Sequence, residues 1–162
     1  MENHNPYTSY ALKVYQQPGI KELMLAFQDR FGADVPILLY CCWLATERKQ
    51  LSHSAIQTLV ADTDVWREQC VRALRKVRRF LKEQPGQDKL YQQVKQVELQ
   101  SEMIQLEWLW GQFETLGLET SDLSAIGLIR QNVMSYSQLL SGIEQPDGIA
   151  ELVDQLADLL DE

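Results

Sequence analysis

Nine consecutive residues, Ile37-Leu38-Leu39-Tyr40-Cys41-Cys42-Trp43-Leu44-Ala45, carry neither a charge nor a breaker. A helix over them is apolar on every side, and such a helix must be covered all round. The whole apolar run, 35–45, is too short to cross a bilayer and is interrupted early by Pro36. Protein has to do the covering. The chain is therefore expected to place this segment at the centre of a helical core, with other helices packed around it. At 162 residues it is long enough for one domain that buries roughly 70% of the surface of the unfolded chain.

The breakers supply the surrounding elements. Asn5 and Pro6 suit the N-cap and first turn of a helix over 7–15, which Pro18-Gly19 ends. Ile20, Leu23, Met24, Phe27 and Phe31 recur at helical spacing until Gly32, and Asp34 is placed to cap the apolar helix over 35–47. Ser52 offers a cap for a short helix ending near Asp62, and Asp62 or Asp64 restarts the chain into a helix over 66–83. The stretch 83–88 contains Pro85-Gly86 and is the clearest break, a possible division between two helical subdomains. After it comes the longest helix, 88–116, with two apolar seams: Leu90, Val94, Val97, Ser101, Ile104 and Trp108 on one, Leu99, Met103, Leu106, Trp110 and Phe113 on the other. Two seams imply packing on two sides, within a bundle or at a self-association interface. Ser121 or Asp122 caps a helix running to Gly142, and Asp147 begins a last helix with Ile149, Leu152, Val153, Leu156 and Leu160 on one face. No window alternates well enough for a strand. The reading is all-α, a single domain of about seven or eight helices. Its core is residues 37–45 packed against the stripe of Trp66, Cys70, Leu74, Val77 and Leu81 and against a seam of the long helix.

Charge is distributed unevenly over these helices. Arg67, Arg72, Arg75, Lys76, Arg78, Arg79 and Lys82 are seven of the fifteen basic residues, whereas 98–162 holds thirteen acids against Arg130 alone. The basic residues either pair with those acids within the fold or face a partner. With a net charge of −8, nucleic acid could be held only by a local patch. Arg72, Arg75, Lys76, Arg79 and Lys82 share one side of the 66–83 helix by their spacings of three and four, with Arg67 and Arg78 flanking, and form the candidate surface for an acidic protein or structured RNA.

Catalytic patterns are absent from the sequence. His4 and His53 lack the Glu-x-x-His spacing of carboxylate metal centres, and there is no glycine-rich phosphate loop, no Gly-x-Ser-x-Gly and no Cys-His arrangement. Asp154-x-x-x-Asp158 resembles the acidic pairs with which helical enzymes hold magnesium, and a solvated helix face is its ordinary meaning. Cys41, Cys42 and Cys70 are odd in number, lie among apolar residues and read as reduced core thiols. Tyr7, Tyr10, Gln28, Asp29, Trp66 and Arg67 fall at segment boundaries and could line a small polar pocket. The N-terminus has neither a basic region nor an apolar stretch, which reads as a chain without a signal peptide, cytoplasmic and with no membrane role. The expectation is a non-enzymatic interaction or adaptor protein without a cofactor, with an RNA- or ribosome-associated factor and then a magnesium-dependent enzyme as alternatives.

The order Tyr7-x-x-Tyr10-x-x-x-Val14-Tyr15, Pro18-Gly19, Leu25-x-x-Gln28-Asp29, Gly32-x-Asp34-Val35, Leu38-Leu39-x-x-x-Trp43-Leu44 and Trp66-Arg67-x-x-x-Val71-x-x-Leu74-Arg75 resembles a family of short uncharacterised conserved proteins of gammaproteobacteria, a domain of unknown function. The resemblance runs over 7–82. It departs at Pro36, where relatives commonly carry Asn, which bears on how the apolar helix starts. It implies a bacterial, all-helical protein and brings no activity.

Overall fold

In a computed structural model, residues 3–140 and 146–161 are described. They form an all-α fold: α1 Pro6–Tyr15, α2 Ile20–Phe31, α3 Val35–Thr46, α4 His53–Trp66, a π-helical turn Arg67–Val71, α5 Arg72–Lys82, α6 Asp88–Gly111, α7 Ala125–Ser137 and α8 Pro146–Leu160. The seventh helix, expected to run to Gly142, ends at Ser137, with 138–140 in turn and bend conformation; residues 141 and 142 lie outside the described residues.

Several starts follow from local chemistry. The Asn5 side chain accepts the Thr8 backbone N–H at 2.7 Å, and Ser52 accepts that of Ala55 at 3.1 Å, each satisfying one of the orphan donors of a first turn. Pro36 sits in the first turn of α3, where its missing N–H costs nothing. Gly32 closes α2 in the left-handed region, φ 70°, and the Gly32 and Ala33 N–H groups return to Gln28 and Phe27 carbonyls, so the chain turns directly into α3. For α7 the cap is Ser124, which accepts the Gly127 N–H, in place of Ser121 or Asp122.

As the apolar run demands, 37–45 are all buried, with α1, α2, α6 and above all α7 packed around them. The inner faces of α1, α2, α7 and α8 complete the core with Tyr7, Phe27, Val133, Tyr136 and Leu156. A small antiparallel sheet, β1 Lys49–Gln50 with β2 Glu119–Thr120, pairs Lys49 with Thr120 and Gln50 with Glu119. Two-residue strands carry too little alternation to be legible in sequence. Buried Asn132 ties this corner down: its Nδ2 donates to the Cys41 and Lys49 carbonyls and its Oδ1 accepts from Leu51 N–H.

The expectation about the 66–83 segment changes most. No helix starts at Asp62 or Asp64; α4, the π turn and α5 are one uninterrupted rod. Nor does its apolar stripe belong to the central core. α5 packs on α6 and on the π turn; Leu81 is buried, Leu74 and Cys70 are half-buried, and Val77 is 47% exposed. α5 and α6 pack as a two-helix hairpin across the turn at 83–87, and Val77 of the stripe and Leu90 and Val97 of the first seam of α6 face solvent.

Candidate functional site

The basic rod divides by what each side chain meets. Arg75 and Arg78 point at α6, where Arg75 Nε lies 3.4 Å from Glu98 Oε2 and its Nη2 3.1 Å from Glu102 Oε1, while Arg78 Nε donates to the other oxygen of Glu98. Glu98 is buried, and its hydrogen bond raises the Arg78 guanidinium above its ordinary value. Among the described acids of 98–162, these two meet the basic rod. Arg72 is paired along the helix with Glu68 at 2.8 Å. Lys76, Arg79 and Lys82 are exposed and, among the described residues, make no ion pair. The candidate patch is thus cut from five residues to three: Arg75 is internal and Arg72 is paired along the helix, whereas Lys76, Arg79 and Lys82 remain presented outward. At the edge of this row stands Phe80, 64% exposed, one helical turn from Lys76.

A second feature comes from the π turn. Residues five apart on an α-helix lie about 140° apart around the axis, which would send Arg67 and Arg72 to different sides. Here the Arg72 N–H donates to the Arg67 carbonyl. This five-residue bond widens the turn and stacks the two residues. Both therefore line one cavity of about 480 Å³. The end of α2 contributes Arg30, Phe31 and Gly32, and α4 contributes Val60. Tyr136 and the neighbouring Leu139 and Leu140 form the remaining wall. The Arg67 side chain is only 14% exposed; its Nη2 donates to Asp64 at 2.7 Å, and its Nε is buried without a hydrogen-bond partner. Arg30 lies over the Phe31 ring, 5.0 Å from the centroid. A Cβ at Gly148, in the first turn of α8, would come within 2.8 Å of Arg30 Nη2.

Behind this cavity lies Asp34. It occupies the N-cap position of α3, but its side chain makes no capping bond; instead Oδ2 accepts from Gln105 Nε2 at 2.6 Å, and its backbone N–H donates to the Tyr136 hydroxyl at 2.8 Å. Burial lifts its carboxyl to about 6, against the pull of Arg67 and the Gln105 hydrogen bond. Gln105 Nε2 is also 3.3 Å from Thr63 Oγ1, and its Oε1 is buried without a partner. In sequence Asp34 reads as a cap because Asp before an apolar helix has that common use; its meeting with Gln105, 71 residues away, leaves no local signal.

The six residues expected to line a polar pocket are dispersed. Arg67 lines the large cavity, and Trp66 lines a separate one of about 130 Å³ with Thr63, Ile104 and Gln105. Trp66 also donates to the Ser101 carbonyl at 2.9 Å. Tyr7 is wholly buried, donates to the Pro36 carbonyl at 2.6 Å and stands edge-on to Tyr40. Tyr10 and Gln28 are half-buried, and Asp29 is exposed; none of these four lines either cavity. The Asp154 and Asp158 carboxylates flank Arg130, at 3.2 and 3.8 Å, and no group of three or more metal-ligating side chains occurs among the described residues. Cys41 and Cys42 are free and buried, and burial pushes the Cys42 thiol up to about 12, the opposite of what a nucleophile needs. No described helix is long and apolar enough to cross a membrane.

With the arrangement established, comparison adds a family. Residues 8–109 match the one described as "Protein of unknown function (DUF2390)". The chain belongs to this family. In this DUF2390 protein the matched region takes in α1 to α5 and nearly all of α6, and hence Arg30, Asp34, the π turn and the basic hairpin. The cavity wall at Tyr136, Leu139 and Leu140 lies beyond it. No curated protein and no solved structure matches the chain.

Proposed function

We propose that this protein is a helical interaction module of the bacterial cytoplasm, without catalytic activity, which docks an acidic protein segment on the outer face of α5. The observation that carries the reading is Phe80, 64% exposed at the edge of the row Lys76, Arg79 and Lys82, none of which is ion-paired among the described residues. An aromatic ring exposed to this degree is worth burying, and an aromatic flanked by Arg is the composition of protein-interface hot spots. The partner that fits is amphipathic: an apolar residue to cover Phe80, and carboxylates to meet the three cations. Structured RNA is the second reading, since the same ring could take a stacked base between phosphate contacts.

The test compares wild type with Phe80→Ala and with Lys76→Glu/Arg79→Glu in pull-downs from the native cytoplasm, read by mass spectrometry with and without nuclease. Because these side chains are exposed, each variant should unfold within about 0.5 kcal/mol of wild type. A protein partner lost with both variants and retained after nuclease is the expected result. Partners lost on nuclease treatment would transfer the face to RNA, and identical partner sets would remove it from consideration.

A further inference from the structure

The cavity beside the π turn is not used by the docking face, which lies further along α5. Three guanidinium-bearing side chains, Arg30 of α2, Arg67 of the π turn and Arg72 of α5, reach it, and no carboxylate residue lines it among the described residues. Asp64 and Glu68 pair with Arg67 and Arg72 from the helix surface. Arg30 has no carboxylate partner among the described residues, and Arg67 Nε is a buried donor with nothing to accept it. An orphaned buried donor on a charged group is costly, and three like charges around one space add to that cost. An anion in the cavity would relieve the repulsion among the three guanidinium groups. The remaining wall is of another kind: Phe31, Val60, Leu139 and Leu140 are apolar. The volume of about 480 Å³ falls within the range of small-molecule sites.

We propose that this cavity binds a small organic anion, its carboxylate or phosphate head held by Arg67, Arg72 and Arg30 and its short apolar body lying against Phe31, Val60 and Leu139. The π turn makes the site, because it brings Arg67 and Arg72 to one side of the rod. Gly148 helps to place Arg30, since a Cβ there would occupy the space of its guanidinium.

Isothermal titration calorimetry of the full chain with hexanoate, hexyl phosphate, inorganic phosphate and hexylamine tests this. Hexanoate or hexyl phosphate should bind, whichever is the tighter naming the head group, and inorganic phosphate should bind at least about tenfold more weakly for want of the apolar contacts. Hexylamine should give no heat of binding. Arg30→Gln and Arg72→Gln change half-exposed or exposed side chains and should fold; each should weaken the better anion by about tenfold or more, the worth of a charge-assisted hydrogen bond. Arg67→Gln should abolish binding, and Leu139→Ala, which leaves every charge in place, should weaken the hexyl ligand while sparing inorganic phosphate. The proposal is overturned if neither hexyl anion binds, if inorganic phosphate binds as tightly as they do, if hexylamine binds, or if Arg30→Gln and Arg72→Gln leave the affinities unchanged.

Discussion

An Asp with a carboxyl lifted to about 6 stabilises the fold when protonated and strains it when ionised. The sign follows from proton linkage: between the ordinary value of 3.8 and about 6, the folded chain holds a proton at Asp34 that the unfolded chain has lost, so stability falls as pH rises through that window and levels off above it. At about 1.4 kcal/mol per pKa unit, the upper bound on the loss is about 3 kcal/mol. Asn is the neutral shape of this side chain, and Asp34→Asn should therefore be as stable as wild type near pH 4 and more stable near pH 7. Denaturant unfolding of both proteins across that range checks this, the difference between them cancelling every other titrating group. A variant less stable than wild type at pH 7 would mean that the attraction between ionised Asp34 and Arg67 outweighs burial. In the opposite sense, Arg67→Gln removes the strongest of the influences holding the carboxyl down and should move the transition to higher pH. None of this was readable from Asp34 in its sequence context, where a cap is the simplest use for it. The cap positions that were legible, Asn5 and Ser52, are those whose hydrogen bonds close within three residues.

Among the elements, the rod from His53 to Lys82 shows where pattern reading fails. Its apolar spacing identified Leu81 as inward-facing, but periodicity reports what a helix is able to cover and not what its neighbours meet; Leu81 is enclosed while Val77 is open, and Arg75, expected on the outer face, turns to Glu98 and Glu102 of α6. The apolar helix α3 was legible for the converse reason, because a segment apolar on all sides has one stable environment. The π turn was hidden because Arg-Glu-Gln-Cys-Val has no local preference against an ordinary α-helix. Its consequence is testable. A π turn holds one residue more than an α turn, so deletion of exposed Gln69 should convert the rod to a continuous α-helix while keeping α5 in phase with α6. Circular dichroism should show undiminished helix, and the stability should stay within about 1 kcal/mol of wild type or rise, since the wider turn forgoes good hydrogen-bond geometry. Destabilisation well beyond that would make the turn a packing requirement of α5 on α6.

Across the whole molecule the charge split proves to be only partly self-neutralised. Two acids of α6, Glu98 and Glu102, face the basic rod, and the acidic face of α8 is met at Arg130, with Asp154 and Asp158. The rest of an excess of −8 is left to repel itself through solvent, while Lys76, Arg79 and Lys82 on α5 make no ion pair among the described residues. Sequence alone posed this alternative and could not decide it, because pairing depends on which face of α6 turns toward α5. The balance predicts the response to salt. Repulsion between exposed acids acts through water and is screened as the Debye length falls from about 30 Å at about 0.01 M to about 3 Å at about 1 M, whereas the contacts of buried Glu98 with Arg75 and Arg78 are shielded from salt by their burial and are screened much less. The exposed pairs Arg72–Glu68 and Arg130–Asp154 will weaken, but pairs of this kind contribute about 0 to 1 kcal/mol. Stability in denaturant unfolding should therefore rise with sodium chloride over this range. The Glu98→Gln variant separates the terms: it should be less stable than wild type at every salt concentration, because two arginines lose their shared buried carboxylate, yet gain stability with salt in parallel. A wild type that loses stability on adding salt would show instead that the exposed pairs outweigh the general repulsion, and that the acidic face of α8 is held by Arg130 more firmly than its exposure suggests.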